Sequence, residues 1–468
     1  MRTEINKLIF LIVILSLLSI KIISQNNDKP NILIILTDDQ GYKDVGFNGC
    51  KDIPTPNIDK IADNGVVFTN GYVSYSVCGP SRAGLLTGRY QERFGFGRNP
   101  LLAPNDPNQG LPVDEETLAT ALQKNGYNTM AIGKWHLGAH STQRPLQRGF
   151  DEFFGFLSGG HRYFPKDWTL KDLSELKSQG GGYRTKLLHN NERVDENEYL
   201  TDALSREAVN FIKKKRDKPF FLYLAYNAPH TPLQATEKYL NRFNHIENRK
   251  RRIYAAMVSA VDDGVGHVLT SLKTMGIEDN TIVFFLSDNG GPERHNASNN
   301  GELRDGKASL YEGGIRVPFA MQWPKKIKSG QYYNKPIISL DIFATAAAYA
   351  NISPKKSLDG VNIVPYLTGR KKGNPHDYLF WRQFDKKTIA VRSGNYKYVG
   401  KRDERLELFD LTKDISEELP IEKDNSKQKK LFKKFKKWEN QLIAPVFLGL
   451  KQNKKYNQTH SNRFNIKE

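Results

Sequence analysis

A chain of 468 residues with a formal net charge of +19 holds one large α/β domain and a smaller companion, because single hydrophobic cores stop growing near ~250–300 residues. Its 38% hydrophobic and 11% aromatic content excludes bulk disorder, and its two cysteines exclude a disulfide scaffold. The basic excess asks for an anionic partner, yet no nucleic-acid motif accompanies it, so nucleic acid is not that partner.

The first segment, 1–24, opens with Arg2 and Lys7, continues as an apolar run from Leu8 to Ile20, and reaches Ser24 before Gln25. That pattern reads as a cleaved signal peptide, since the apolar run is shorter than the ~20 residues of a membrane span. The expected mature protein is periplasmic or secreted, with no stable membrane anchor after signal cleavage; an uncleaved anchor is the alternative. Export permits disulfides, but Cys50 and Cys78 are the whole inventory. If Cys78 is chemically used, Cys50 is a small buried residue without a partner.

Four continuous apolar runs follow a shared design. NILIILT (31–37) ends at Asp38 and Asp39, and NTMAIG (128–133) ends at Lys134 and His136. FFLYLAY (220–226) leads to His230, and TIVFFLS (281–287) ends at Asp288 and Asn289. Unbroken β-rich runs predict buried parallel strands covered on both faces, with the ligand site outside their carboxyl ends. Between them, TPNIDKIA (55–62), a segment starting acidic at Asp114 and closing near Gly126, and 252–272 read as helices. Pro80 suits a helix start that places Cys78 just before the N-terminus. The stretch around Gly159-Gly160 and Gly180-Gly181-Gly182 reads as irregular loop.

After Pro365 the texture changes to short alternating segments, YLFWR, KTIAVRS, YKYVG and LELFDL, which predict a small antiparallel sheet. A boundary near 369–375 follows, giving a catalytic α/β domain over 25–370, a C-terminal α+β unit over 371–450 and a basic tail over 451–468. From 421 onward there are 13 Lys or Arg against 4 Asp or Glu, which places +9 of the charge there. Leu431, Phe435, Trp438 and Leu442 fall at helical spacing, so a helix docks by that face and leaves its lysines to water.

Asp38, Asp39, Asp288 and Asn289 are all oxygen donors, which favour Ca²⁺ or Mg²⁺ over Zn²⁺. Lys134 and Lys307 suit a tetrahedral oxyanion, and His230 sits where a general acid could reach a leaving group. Cys78 at a helix N-terminus would suit a thiolate. However, the position six residues later, where a cysteine-dependent phosphatase loop carries its arginine, is Gly84. Soft sulfur is also a poor companion for a hard cation.

Cys78-Gly79-Pro80-Ser81-Arg82 followed by LTGR (86–89) resembles the signature of the type I sulfatases, members of the alkaline-phosphatase-like superfamily. TDDQG (37–41), GKWHLG (133–138), APHTP (228–232), SDNGG (287–291) and GKASLYEGG (306–314) stand in that family's order. The resemblance implies a large mixed, mostly parallel sheet sandwiched by helices, with a smaller C-terminal antiparallel sheet and helix. It implies that a formylglycine-generating or maturase enzyme converts Cys78 during export to formylglycine (3-oxoalanine), whose hydrated aldehyde is the nucleophile. Asp38, Asp39, Asp288 and Asn289 would hold one Ca²⁺, with the Cys78-derived diol completing the shell. Arg82 and Lys134 would hold the formylglycine, Lys134 and Lys307 would grip sulfate, His230 would protonate the departing alcohol, and His136 would assist sulfate release. Ile415, in LFDLTKDISEE (408–418), stands where the family commonly has proline. Region 141–200 has no recognisable match, and His161, Arg162, Arg184 and Arg294 are the candidates there and nearby for reading a sulfated sugar. The substrate expected from charge and export is a polyanionic glycan, an algal polysaccharide such as ulvan or carrageenan first and a glycosaminoglycan next. A phosphatase or phosphodiesterase of the same superfamily, or a non-catalytic glycan-binding protein, are the alternatives.

Overall fold

The computed structural model describes residues 29–464 apart from residue 423, so the signal-peptide reading of 1–24 lies outside the described residues. In chain order the strands of the larger part are β1 (Asn31–Thr37), β2 (Gly65–Phe68), β3 (Gly71–Tyr72), β4 (Asn128–Lys134), β5 (Glu152–Phe156), β6 (Leu187–His189) and β7 (Glu192–Val194). They continue with β8 (Phe220–Ala225), β9 (Thr281–Ser287), β10 (Phe319–Gln322), β11 (Gln331–Tyr333) and β12 (Ile337–Ile338). Ten of these form one sheet in the order β11-β2-β10-β9-β1-β8-β4-β5-β6-β7. The four runs singled out in the sequence are adjacent at its centre, and β1 pairs in parallel with both β8 and β9 while β8 pairs in parallel with β4.

Successive side chains of a strand point to opposite faces, and β1 shows what this does to an unbroken apolar run. Ile32, Ile34 and Leu36 join one core, whereas Leu33 and Ile35 join the other. Helices α1 (Pro56–Asp63), α4 (Leu200–Lys213) and α5 (Arg249–Thr274) cover the Leu33 face, and α2 (Cys78–Thr87), α3 (Leu118–Lys124) and α6 (Asp341–Ala350) cover the Ile32 face. The helix expected to begin at Asp114 begins instead at Leu118, because the Thr117 side chain accepts from the Thr120 N–H and caps it. Asp114 and Glu115 are occupied upstream in ion pairs with Lys356, and Glu115 also with Arg89.

The C-terminal sheet is antiparallel in the order β13 (Leu379–Gln383), β14 (Thr388–Ser393), β15 (Tyr396–Lys401) and β16 (Leu406–Asp410). Helix α7 (Asn425–Glu439) lies across it and buries Leu431, Phe435 and Trp438. Leu442 falls beyond the helix end but packs half-buried against the same cluster. Phe380 stacks on Trp438 with ring centroids 5.1 Å apart. This cluster also contains Tyr72, Tyr90, Leu310, Ile315 and Ile338, so the small sheet shares its core with the large part. The basic tail forms α8 (Asn453–Thr459), where Tyr456 is buried and its hydroxyl donates to Asp106 at 2.7 Å. Among the described residues no helix is long and apolar enough to cross a membrane.

A buried charge group fastens the two parts. Lys397 on β15, fully buried, lies 2.9 Å from both Glu312 Oε1 and Glu417 Oε1, and the Glu417 carboxylate also accepts from the Glu312 N–H. Removing one partner of such a group strands a buried charge. Lys397→Met is therefore expected to lower unfolding free energy by about 3–5 kcal/mol, measured by denaturant titration; a loss below about 1 kcal/mol would show that the two glutamates do not depend on the lysine. Glu92, 2% exposed, has neither carboxylate oxygen hydrogen-bonded, and burial pushes its carboxyl up to about 8, with Arg382 pulling against and Asp359 adding to the shift. The folded state thus holds this proton more tightly than the unfolded state, so the Glu92 contribution to stability is lost as pH rises from about 4.5 to about 8. Glu92→Gln is expected to raise the melting temperature more at pH 8 than at pH 5, and an equal shift at both would refute the assignment.

Candidate active site

Four strand ends and one helix start converge. Asp38 and Asp39 follow β1 directly; the Asp38 N–H donates to the Ala228 carbonyl at 3.2 Å and the Asp39 N–H to Asp288 Oδ1 at 3.3 Å. Asp39 takes a left-handed backbone with φ +65°, and His136 does the same with φ +59°. Such conformations are uncommon outside glycine and persist only where surrounding contacts enforce them. Asp288 and Asn289 follow β9 and are fully buried. His230 lies between two cis peptide bonds, Ala228–Pro229 and Thr231–Pro232, in the loop after β8.

Cys78 is the first residue of α2 itself rather than the residue before it, and Val77 forms the extended cap. All ten residues of this helix are buried, so its N-terminal donors need protein partners; Asn99 Oδ1 accepts from the Gly79 N–H at 2.8 Å. Gly84 has a packing reason, since a Cβ there would stand 2.2 Å from Ser74 Oγ. One turn after Cys78, Arg82 donates from Nε to Asp288 Oδ2 at 2.8 Å and from Nη1 to the Lys134 carbonyl at 3.0 Å.

The cations complete the cluster. Lys134 Nζ, at the end of β4, is 2.5 Å from Asp38 Oδ2. Lys307 Nζ is 2.7 and 2.8 Å from the two Asp39 oxygens and 3.3 Å from Cys78 Sγ. His230 Nδ1 is 2.6 Å from the Thr231 carbonyl, leaving Nε2 to face the cluster 3.6 Å from Asp39 Oδ2. His136 is 4% exposed, and its Nδ1 is buried without a hydrogen-bond partner.

Burial and neighbours set the charge states. Burial would raise the Asp39 carboxyl, but Lys307 and then His230 hold it down to about 2. Asp288 is pushed up to about 6 by burial and by the charge of Asp38 beside it. Burial pushes the Cys78 thiol up to about 12, over the opposing pull of Lys134 and Lys307, so the thiolate is not its resting form. Burial lowers His230 to about 3 and His136 well below 6.5, with nearby lysine charge adding to both shifts. Burial acts against the charged form of Lys134 and Lys307, yet Asp38 and Asp39 respectively outweigh it and raise both.

The donor set fits a hard divalent cation. Ligand atoms of Asp38, Asp39, Asp288 and Cys78 lie within 4.8 Å of one another, and Asn289 Oδ1 beside them is buried with no hydrogen-bond partner. Carboxylate and amide oxygens in that density suit calcium or magnesium. Cys50 is free and half-buried, its Sγ 3.3 Å from Asp52 Oδ1.

The four sugar-binding candidates divide. Arg162, Arg184 and Arg294 are exposed, Arg162 lying 3.9 Å from Asp167. His161 is fully buried: its ring nitrogens lie 2.8 and 2.9 Å from the carbonyls of Arg162 and Thr185, and its own carbonyl accepts from Asn227. Burial lowers its pKa to about 4 against the pull of those two carbonyls, and with both ring nitrogens occupied it is an internal brace with no edge open to a ligand. Sequence reasoning missed Asn99, which holds the helix start, and Tyr183, whose ring lies edge-on to His230 at 6.4 Å. The glycine run immediately before Tyr183 was the available signal, since it marks a close approach of backbone.

Comparison with known proteins follows the same lines. The family model described as Sulfatase matches residues 30–352, and that described as N-sulphoglucosamine sulphohydrolase, C-terminal, matches residues 304–444. The chain is 36% identical over 388 residues to the N-acetylgalactosamine-6-sulfatase of Homo sapiens, covering 79% of this chain and 71% of that protein. It is 33% identical over 449 residues to the uncharacterized sulfatase YdeN of Escherichia coli K12, covering 83% and 76%. Among solved structures, Ps i-CgsB in complex with k-i-k-neocarrahexaose superposes with a TM-score of 0.84 at 41% identity, covering 92% of this chain and 98% of that one.

Adding Ca²⁺ or Mg²⁺ to chelator-treated protein is expected to raise its melting temperature by a few degrees, in line with about 2.7 kcal/mol at a hundredfold excess over Kd. Asn289→Ala should shrink that increment. A melting temperature indifferent to both ions would refute the cation site.

Proposed function

This chain belongs to the sulfatase family of the alkaline-phosphatase-like superfamily and is by that membership a sulfuric ester hydrolase; from that premise we propose that it is an exported, calcium-dependent enzyme that removes sulfate from a sulfated galactan of the carrageenan type. The single observation that carries the chemistry is the buried convergence of Asp38, Asp39, Asp288 and Asn289 with Lys134, Lys307 and His230 around Cys78. The galactan reading is supported by the 41% identity to a protein crystallised with k-i-k-neocarrahexaose over nearly its whole length. A glycosaminoglycan is the second reading, favoured by the N-acetylgalactosamine-6-sulfatases.

Asp38, Asp39, Asp288 and Asn289 would hold the calcium ion. Once a maturase has converted Cys78, the formylglycine would supply a hydrated aldehyde as nucleophile, and calcium would supply positive charge against the sulfate oxygens. Lys134 and Lys307 are placed to bind non-bridging oxygens, and they are already fixed by Asp38 and Asp39, so no side chain must reorganise as charge builds on sulfate. Arg82, which with Lys134 would hold the formylglycine, also ties Asp288 to the backbone of Lys134 and so holds two strand ends in register. His230 has its Nδ1–H committed to the Thr231 carbonyl, which leaves Nε2 as the nitrogen that titrates on the cluster side. It would protonate the departing sugar oxygen only after taking up a proton itself, which the negative charge of a bound sulfate ester favours against the burial that opposes it. His136, buried against the bare backbone of Gly159, is the remaining base and would assist sulfate release by taking a proton from the residue-78 side chain.

Mass spectrometry of the Cys78 peptide from protein made in an export-competent host is expected to show conversion to formylglycine, and an unmodified thiol in active protein would overturn the mechanism. Cys78→Ala should lower kcat by at least about 10³-fold, the scale on which loss of a nucleophile acts, with the melting temperature preserved. On a panel of sulfated oligosaccharides, free sulfate is expected from carrageenan fragments ahead of glycosaminoglycan disaccharides; the reverse order would select the second reading.

A further inference from the structure

Tyr183 is the strongest feature that the chemistry above leaves unused. It stands at the end of the short 3-10 segment Gln179–Arg184, inside the region of the sequence without a recognisable motif. Its ring is half-buried and lies edge-on to the His230 imidazole, 6.4 Å between centroids. The ionisable groups acting on its phenol are Lys134, Cys78, Asp38 and Lys307, the residues of the reaction centre, and burial keeps the phenol protonated. Among the described residues, no hydrogen bond reaches its hydroxyl. A hydroxyl beside the His230 imidazole and left without a protein partner is a site for substrate.

The surrounding structure builds this placement. A Cβ at Gly160 would stand 2.8 Å from the Tyr183 hydroxyl and from Cζ, and a Cβ at Gly159 would stand 2.8 Å from His136 Nε2. The two consecutive glycines therefore serve one ring each. The Tyr183 carbonyl accepts from the Arg162 N–H at 3.0 Å, and Ser158 Oγ donates to the Gly182 carbonyl at 3.1 Å. His161 braces the far side through Thr185 and is itself held by Asn227, just beyond β8. The loop is thus tied to the same strand end that delivers His230.

We propose that Tyr183 is a specificity-determining residue whose hydroxyl donates a hydrogen bond to the leaving sugar, at a hydroxyl or ring oxygen next to the esterified position. This rests on the reading of the substrate as a sulfated saccharide. Tyr183 lies beside His230, which faces the departing oxygen, and so it meets the sugar rather than the sulfate. An aryl sulfate offers no neighbouring hydroxyl and cannot use the contact.

The test compares Tyr183→Phe and Tyr183→Ala with the parent enzyme on a sulfated saccharide that the parent turns over and on 4-nitrophenyl sulfate. Tyr183→Phe keeps the edge contact to His230 and loses one oxygen. It is expected to lower kcat/KM on the saccharide about tenfold or more, chiefly through KM, the scale of one lost buried hydrogen bond. Its loss on the aryl ester should be several-fold smaller. Tyr183→Ala should add a fall in kcat on both substrates, because His230 loses its packing. Equal losses of Tyr183→Phe on the two substrates, or no loss on the saccharide, would overturn the proposal while leaving the sulfatase reading standing. A parent enzyme that hydrolyses the aryl ester but releases sulfate from no saccharide would instead remove the carbohydrate reading and the Tyr183 role with it.

Discussion

Three buried carboxylates paired with two buried cations, Lys134 and Arg82, and the partly exposed Lys307 are the constraint on which the rest depends. Asp38 faces Lys134, Asp39 faces Lys307, and Asp288 faces Arg82, and of these side chains only that of Lys307 keeps appreciable contact with water. Desolvating six charges is unfavourable unless each finds a partner at short range with its remaining hydrogen-bonding capacity filled. The cluster therefore tolerates little displacement of any strand end. It also cannot be judged as a stability device alone, because apolar residues of similar volume would serve a fold as well. What the charges provide is a preorganised field around residue 78, assembled before any substrate arrives.

The sheet order explains how such a cluster can be built from residues up to 269 positions apart in the chain. β9, β1, β8 and β4 lie side by side and run parallel, so their carboxyl ends form one edge. Helix α2 brings its N-terminus to that edge, and the loop carrying Lys307 reaches it from the start of the segment fastened by Glu312, Lys397 and Glu417. The small C-terminal sheet thus supports the site at one remove: it holds the segment that holds a lysine. The backbone strain at Asp39 and His136 belongs to the same account, since both turn sharply off strand ends to aim their side chains inward.

Much of this was legible in the sequence for a physical reason. A strand buried on both faces must be apolar throughout, so a charged residue at its end is conspicuous, and Asp38, Lys134 and Asp288 are all of that kind. Tyr183 was barely legible, because it belongs to no periodic element; the glycine run before it marks only the loop, and its distance from His230 is what distinguishes it from twenty other tyrosines. His161 was misleading in the opposite sense. A histidine between glycines and an arginine looks like a surface ligand, and packing instead encloses it between Phe156 and Trp168 with both ring nitrogens against carbonyls.

By itself the sequence determined the element types, the identity of the strand-end donors and the family they mark, because alternation, apolar run length and local motifs are short-range properties. The helix boundaries shifted by a few residues where a cap such as Thr117 competed with acidic residues upstream. Tertiary structure alone decided which face each donor meets, which polar group is left without a partner, and that a histidine braces the loop while a tyrosine faces the chemistry. Those facts depend on contacts between segments far apart in the chain, and no local pattern encodes the distance between them.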